Sequence, residues 1–323
     1  MTVGQDRAVD QFSAAWGRGA LHHAWLLAGP KGVGKATFAR EAATRVLADA
    51  AGPAVEAPGL ATPADHRIAK LVKAGSHPDL RWLERLENEK TNNLARNITV
   101  EQVRSLSDLF DLTPALSQWR AVVIDSIDNL EKSAANALLK MLEEPPANCL
   151  FLLVSHAPGR LLPTIRSRCR RLDFHGLSDD AMASILARQL PDLTGSGRDR
   201  VIAAAGGSAG RAIALAELDL VALEEAVIRM LREGDSTNSR RSDLALELGK
   251  RGAGERYAAF LEMLPSIVAR EARNLDGASR ERAVEAYART RELTAVAPRL
   301  SLDPASTVFQ LAGILAGVPD PLP

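Results

Sequence analysis

Residues 29–37 read Gly-Pro-Lys-Gly-Val-Gly-Lys-Ala-Thr, and they constrain the fold more than any other stretch of the chain. They fit the phosphate-loop pattern G-x-x-x-x-G-K-[ST] at Gly29, Gly34 and Lys35. That pattern requires an apolar strand before it and a helix after it. Both are present: residues 24–28 are Ala-Trp-Leu-Leu-Ala, and a helix rich in Ala, Arg and Leu is predicted from 35 to about 50. Glycines such as Gly29, Gly32 and Gly34 let successive backbone N–H groups turn toward phosphate oxygens. The start of the helix adds a partial positive charge, and Lys35 is placed to reach the terminal phosphates. The next position demands a hydroxyl, which normally holds the magnesium ion of a bound nucleoside triphosphate. It is Ala36 here. Thr37 does not replace it easily, because one residue along a helix turns a side chain by about 100°.

Further apolar runs at 121–125 and 149–154, and a last short strand expected at 171–174, alternate with helical patterns, which implies βαβ units and a parallel sheet. Beyond Phe174 the strand pattern stops. The chain becomes rich in Ala, Leu, Arg and Glu at helical spacing, broken at 206–210 and at 234–239. A length of 323 residues suggests two or three domains. The expected organisation is an α/β domain over 1–174, a small helical domain over 175–220 and a larger helical domain over 221–323. Residues 51–65, with Gly52, Pro53, Pro58, Gly59 and Pro63, read as a flexible surface insertion.

Forty basic residues balance forty acidic ones, so no global field draws the chain to nucleic acid. Cys149 and Cys169 are its two cysteines and are expected as reduced thiols. Two are too few for a four-cysteine zinc site. Residues 1–10 have no apolar run, so no signal peptide is expected, and no stretch of about 18 uncharged apolar residues predicts a membrane span. A cytoplasmic location follows as the expectation.

Three other segments carry chemistry. Asp125 ends an apolar strand, where an aspartate either supports magnesium or simply caps the strand. A serine hydroxyl at Ser126 is far too weakly basic to activate water, and Asp128 is the nearby carboxylate that stands as the alternative. The stretch 161–171 contains Arg166, Arg168, Arg170 and Arg171 between two strands. It is either a solvated basic run or an edge from which a guanidinium meets a neighbour's phosphates. Leu138, Leu139 and Leu142 make the apolar stripe of a helix stopped by Pro145 and Pro146. Lys132 and Lys140 lie on that helix, where solvation is the default.

Taken together, Asp125-Ser126-Ile127-Asp128, the run from Ala135 to Pro146 and Ile165-Arg166-Ser167-Arg168-Cys169 closely resemble the clamp-loader AAA+ family of bacterial DNA polymerase III. His22-His23-Ala24 and Gly75-Ser76-His77-Pro78-Asp79-Leu80 fit the same family, and the matched motifs span residues 4–171. The resemblance implies an AAA+ P-loop domain followed by an all-α lid and an all-α collar that closes a ring. It implies a delta subunit, tau/gamma subunits, the beta sliding clamp and primer–template DNA as partners. It also implies that Arg168 acts as an arginine finger in a neighbour's ATP site, and that the chain is a rigid component of the polymerase III holoenzyme rather than an ATPase in its own right. Ser208-Ala209-Gly210-Arg211 resembles a lid motif whose arginine approaches nucleotide, although Arg211 read alone is equally a surface residue. Many relatives carry a four-cysteine zinc module near 49–75; the cysteines are missing here, so zinc is not expected. No cofactor is required on this reading, and residual ATP or ADP binding stays open. The rival expectation is a self-sufficient AAA+ motor, against which Ala36 and Ser126 both stand. A pure scaffold with a vestigial loop is the third.

Overall fold

The computed structural model describes residues 1–88 and 93–319; the last four positions of the expected third domain, 320–323, lie outside the described residues. Seven strands occur among them: β1 (Ala24–Ala28), β2 (Leu80–Glu84), β3 (Glu87–Asn88), β4 (Asn93–Leu94), β5 (Arg120–Asp125), β6 (Cys149–Ser155) and β7 (Arg170–Asp173). Five form one sheet in the order β2-β5-β6-β1-β7, and every pairing in it is parallel. Strands β3 and β4 make a separate antiparallel pair. The expected α/β fold with a parallel sheet is therefore the observed one.

Strands β1 and β6 are buried at every position, as parallel strands covered on both faces must be. Side chains alternate between two cores with the period of two that a pleated strand imposes. Trp25 and Leu27, Val123, and Leu150, Leu152 and Val154 enter one core with helices Asp6–Gly17 and Lys35–Ala51. Leu26, Val122 and Ile124, and Phe151 and Leu153 enter the other with helix Lys132–Glu143. The expected stripe on that helix is present, with Leu138 and Leu142 fully in the core and Leu139 packed at its margin.

The motifs before β1 and β2 are structural ties. His22 Nδ1 meets the Ala24 carbonyl at 2.9 Å, and His23 Nε2 meets the Leu142 carbonyl at 3.2 Å. The buried Asp79 carboxylate accepts the backbone N–H groups of Ala115, Leu116 and Ser117 at 2.7, 2.8 and 2.9 Å. It thereby fixes the approach to β5.

Two compact units are present: residues 1–188 with 206–210, and residues 189–205 with 211–323. The second unit is helical. Its longest members are Gly254–Glu271 and Gly277–Val296, and a helix Pro304–Ala316 closes the described part. Its buried carboxylates are paired: Glu224 with Arg211 and Arg270, Glu271 with Arg232, and Asp235 with Arg241. Such pairing is what burial of a charge requires.

Candidate functional site

The phosphate loop leaves β1 at Gly29 and enters helix Lys35–Ala51 through Gly34. Two of its glycines are demanded by close approach. A Cβ at Gly29 would lie 2.2 Å from the Phe174 carbonyl oxygen, and one at Gly32 would lie 2.3 Å from Ser208 Oγ. The second contact belongs to a brace within the first unit: the Gly210 N–H donates to the Gly32 carbonyl and the Ser208 hydroxyl to the Lys31 carbonyl, both at 3.0 Å. The segment stands out in the sequence for Arg211, whereas the brace shows only in the structure. The paired small residues Ser208 and Gly210 were the available signal.

Lys35 is 2% exposed and its ammonium points back into its own loop, donating to the Gly29 carbonyl at 2.7 Å and to the Pro30 carbonyl. Burial pushes its pKa down to about 8 against the opposing pull of Asp125 and Asp128. Ala36 is half-buried and Thr37 exposed. Asp125 ends β5 beside Glu84 at the end of β2. Burial and that neighbouring carboxylate hold its pKa above the usual range, while Lys35 and Arg40 oppose them.

Ser126 is buried and donates to Asp128 Oδ2 at 3.1 Å. The same carboxylate accepts the Ser155 hydroxyl at 2.9 Å and the backbone N–H groups of His156 and Ala157 at 2.6 and 3.2 Å. Asp128 thus ties the end of β5 to the end of β6. Four donors occupy the lone pairs that a general base would need. His156 is exposed at the surface, and its imidazole is pushed down to about 4, by desolvation of the ring first and then by the Lys35 ammonium.

These residues do not fit a magnesium–triphosphate. A methyl at Ala36 stands where the metal hydroxyl belongs, and Asp125 shares its strand edge with Glu84. Among the described residues no group of three or more His, Cys, Asp or Glu side chains is arranged to hold a metal ion. Cys149 and Cys169 are free thiols, each pushed up to about 12 by burial.

Arg168 lies in the first unit between the one-turn helix Pro163–Arg166 and β7. Its Nη2 pairs with Glu143 Oε1 at 2.7 Å and its Nη1 donates to the Thr164 carbonyl at 2.9 Å. Glu143 lies in the family-like run from Ala135 to Pro146, but nothing in the sequence marks it as the partner of Arg168. Twenty-five positions separate the partners, and no local pattern joins them. Arg211 lies in the second unit, where its Nη2 meets Glu224 Oε2 at 3.0 Å.

The sequence model of the family described as "DNA polymerase III, delta subunit" matches residues 4–178. A Pseudomonas aeruginosa relative called DNA polymerase III subunit delta' is 38% identical over 200 residues, covering 61% of this chain and 56% of that protein. The aligned region therefore spans a little over half the length of that relative. DNA polymerase III subunit gamma/tau of Mycobacterium bovis is 32% identical over 186 residues, covering 58% of this chain and 30% of its own. A solved Thermotoga maritima structure, a DNA polymerase III gamma subunit-related protein, aligns over 95% of this chain and 99% of its own at 17% identity with a TM-score of 0.46.

Proposed function

Because the chain belongs to the DNA polymerase III delta-subunit family, we propose that it is the delta-prime-type subunit of a bacterial clamp loader. It is a non-hydrolysing member that completes the ring and presents Arg168 to the ATP of a neighbouring tau/gamma subunit. Its partners on this reading are a delta subunit, tau/gamma subunits, and, through the complex, the beta sliding clamp and primer–template DNA. On this reading the chain comprises an AAA+ domain over 1–174, a lid over 175–220 and a collar over 221–323. A cytoplasmic protein accords with a chain in which no helix among the described residues is long and apolar enough to cross a membrane.

One observation carries the proposal: the position that should activate water is given over to structure. Ser126 is bonded to Asp128, and Asp128 is saturated by donors from the end of β6. A chain that has lost the base in this way contributes to phosphoryl transfer through a group aimed outward. Arg168, partly exposed and paired with Glu143, is the group we assign to that role. An arginine in trans stabilises the charge that develops on the transferred phosphoryl group.

Co-expression with delta and tau/gamma subunits tests the assembly, and one stable complex is expected. In that complex Arg168→Ala is expected to lower DNA-stimulated ATPase turnover by about tenfold or more, with assembly intact. Unchanged turnover would sink the finger. Turnover of ATP by the purified chain alone, abolished by Lys35→Ala, would favour the motor reading.

A further inference from the structure

We propose that Glu143 is a positioning residue that presets the Arg168 guanidinium for the neighbouring subunit's ATP. The inference rests on the finger reading and extends it to a residue on another helix. Arg168 is held at two points, the Thr164 carbonyl on its own segment at 2.9 Å and Glu143 Oε1 at 2.7 Å. Two fixed contacts in different directions define the plane of a guanidinium, whose five N–H groups leave further donors for a ligand. The side chains of Arg168 and Glu143 are 33% and 47% exposed, so the pair lies open at the surface.

Both ends of the pair are anchored in the core. Leu142, the residue before Glu143, is 1% exposed, and its carbonyl is tied to His23 Nε2. Ile165, on the segment that carries Arg168, is 1% exposed in the same cluster. Pro145 and Pro146 stop helix Lys132–Glu143, so Glu143 sits at a fixed end rather than in mid-helix. An open ion pair of this kind adds little to stability. Its effect lies in orientation: a long arginine that is already ordered loses less rotamer freedom when phosphate arrives, and small misplacements of a charge-stabilising group are costly to rate.

The test uses the reconstituted complex with delta and tau/gamma subunits. Glu143→Ala is expected to lower kcat of DNA-stimulated ATPase by about threefold or more. KM for ATP, complex formation and the thermal midpoint should stay unchanged, and Glu143→Gln, which keeps an acceptor oxygen, should recover part of the rate. In an Arg168→Ala background, Glu143→Ala should have no further effect, since it acts through that arginine. Full activity in Glu143→Ala, while Arg168→Ala is impaired, overturns the positioning role and leaves the finger standing. A rise in rate would mean that the pair restrains the arginine, which also overturns the proposal. So would a loss that persists without Arg168. No effect of Arg168→Ala itself removes the finger reading instead.

Discussion

The Lys35 ammonium donates to the Gly29 carbonyl at 2.7 Å, so the residue expected on phosphate closes its own loop. The Pro30 carbonyl accepts from it as well. Removing the ammonium takes a charged donor from two carbonyls of a part-buried turn. Lys35→Ala is therefore expected to destabilise the first unit by about 1–3 kcal/mol in buffer free of nucleotide. Urea unfolding of the purified chain checks this through its midpoint, at unchanged slope. An unshifted midpoint would show that the lysine contributes nothing to the empty loop.

Magnesium should matter little to any nucleotide this loop takes. The hydroxyl ligand is replaced by Ala36, and Asp125 is held above the usual carboxylate range by burial and Glu84. Calorimetric titration with ATP or ADP is expected to give affinities that differ by less than about threefold with and without Mg2+, roughly 0.6 kcal/mol. A tenfold gain with the metal would mean that another oxygen has taken the place of the lost hydroxyl.

Acid should weaken the first unit before its carboxylates titrate. His156 is pushed down to about 4 by desolvation and Lys35, and burial also lowers His23 and His77. Unfolded histidines take up protons near pH 6.5. Between that pH and about 4 the unfolded chain thus binds more protons than the folded one. The stability these neutral imidazoles preserve is full above pH 6.5 and is lost as pH falls below it. Thermal midpoints between pH 7.5 and 5 should fall, and His156→Gln should flatten the fall, because the backbone N–H that meets Asp128 is retained. An identical slope in the variant would exclude His156 as a contributor.

The strands were legible because their signal is local. Residues 24–28, 121–125 and 149–154 are apolar runs of strand length, and each lies within a strand of the sheet. The loop was legible because its glycines occupy fixed offsets. What stayed hidden depends on partners far apart in sequence. Arg168 and Glu143 each fall in a recognisable motif, but their pairing shows only in the structure. Asp128 could be named as a doubtful base, but the donors that occupy it come from Ser155, His156 and Ala157 on another strand end. The brace at Ser208 and Gly210 lies some 177 positions from the loop it holds.

The stretch 51–65, expected as a flexible insertion, has an internal hub made by one arginine. Arg45 Nε pairs with Asp49 at 2.8 Å, and its two terminal nitrogens donate to the carbonyls of Val55, Ala57, Gly59 and Ala61 at 2.8–3.2 Å. Asp49 also accepts the Val55 N–H and the Trp16 indole N–H, each at 2.7 Å. A planar fork satisfies carbonyls in several directions at once, and a lysine, with one nitrogen, does not. Arg45→Lys is therefore expected to open the loop locally while the sheet persists. Limited proteolysis within 51–65 should accelerate by about tenfold, equivalent to roughly 1.4 kcal/mol of local opening. A chelator should leave the rate of the native chain unchanged, since the ties named here run from protein to protein. Equal cleavage of Arg45→Lys and the native chain would show that Val55, Leu60 and their core contacts hold the loop without the arginine.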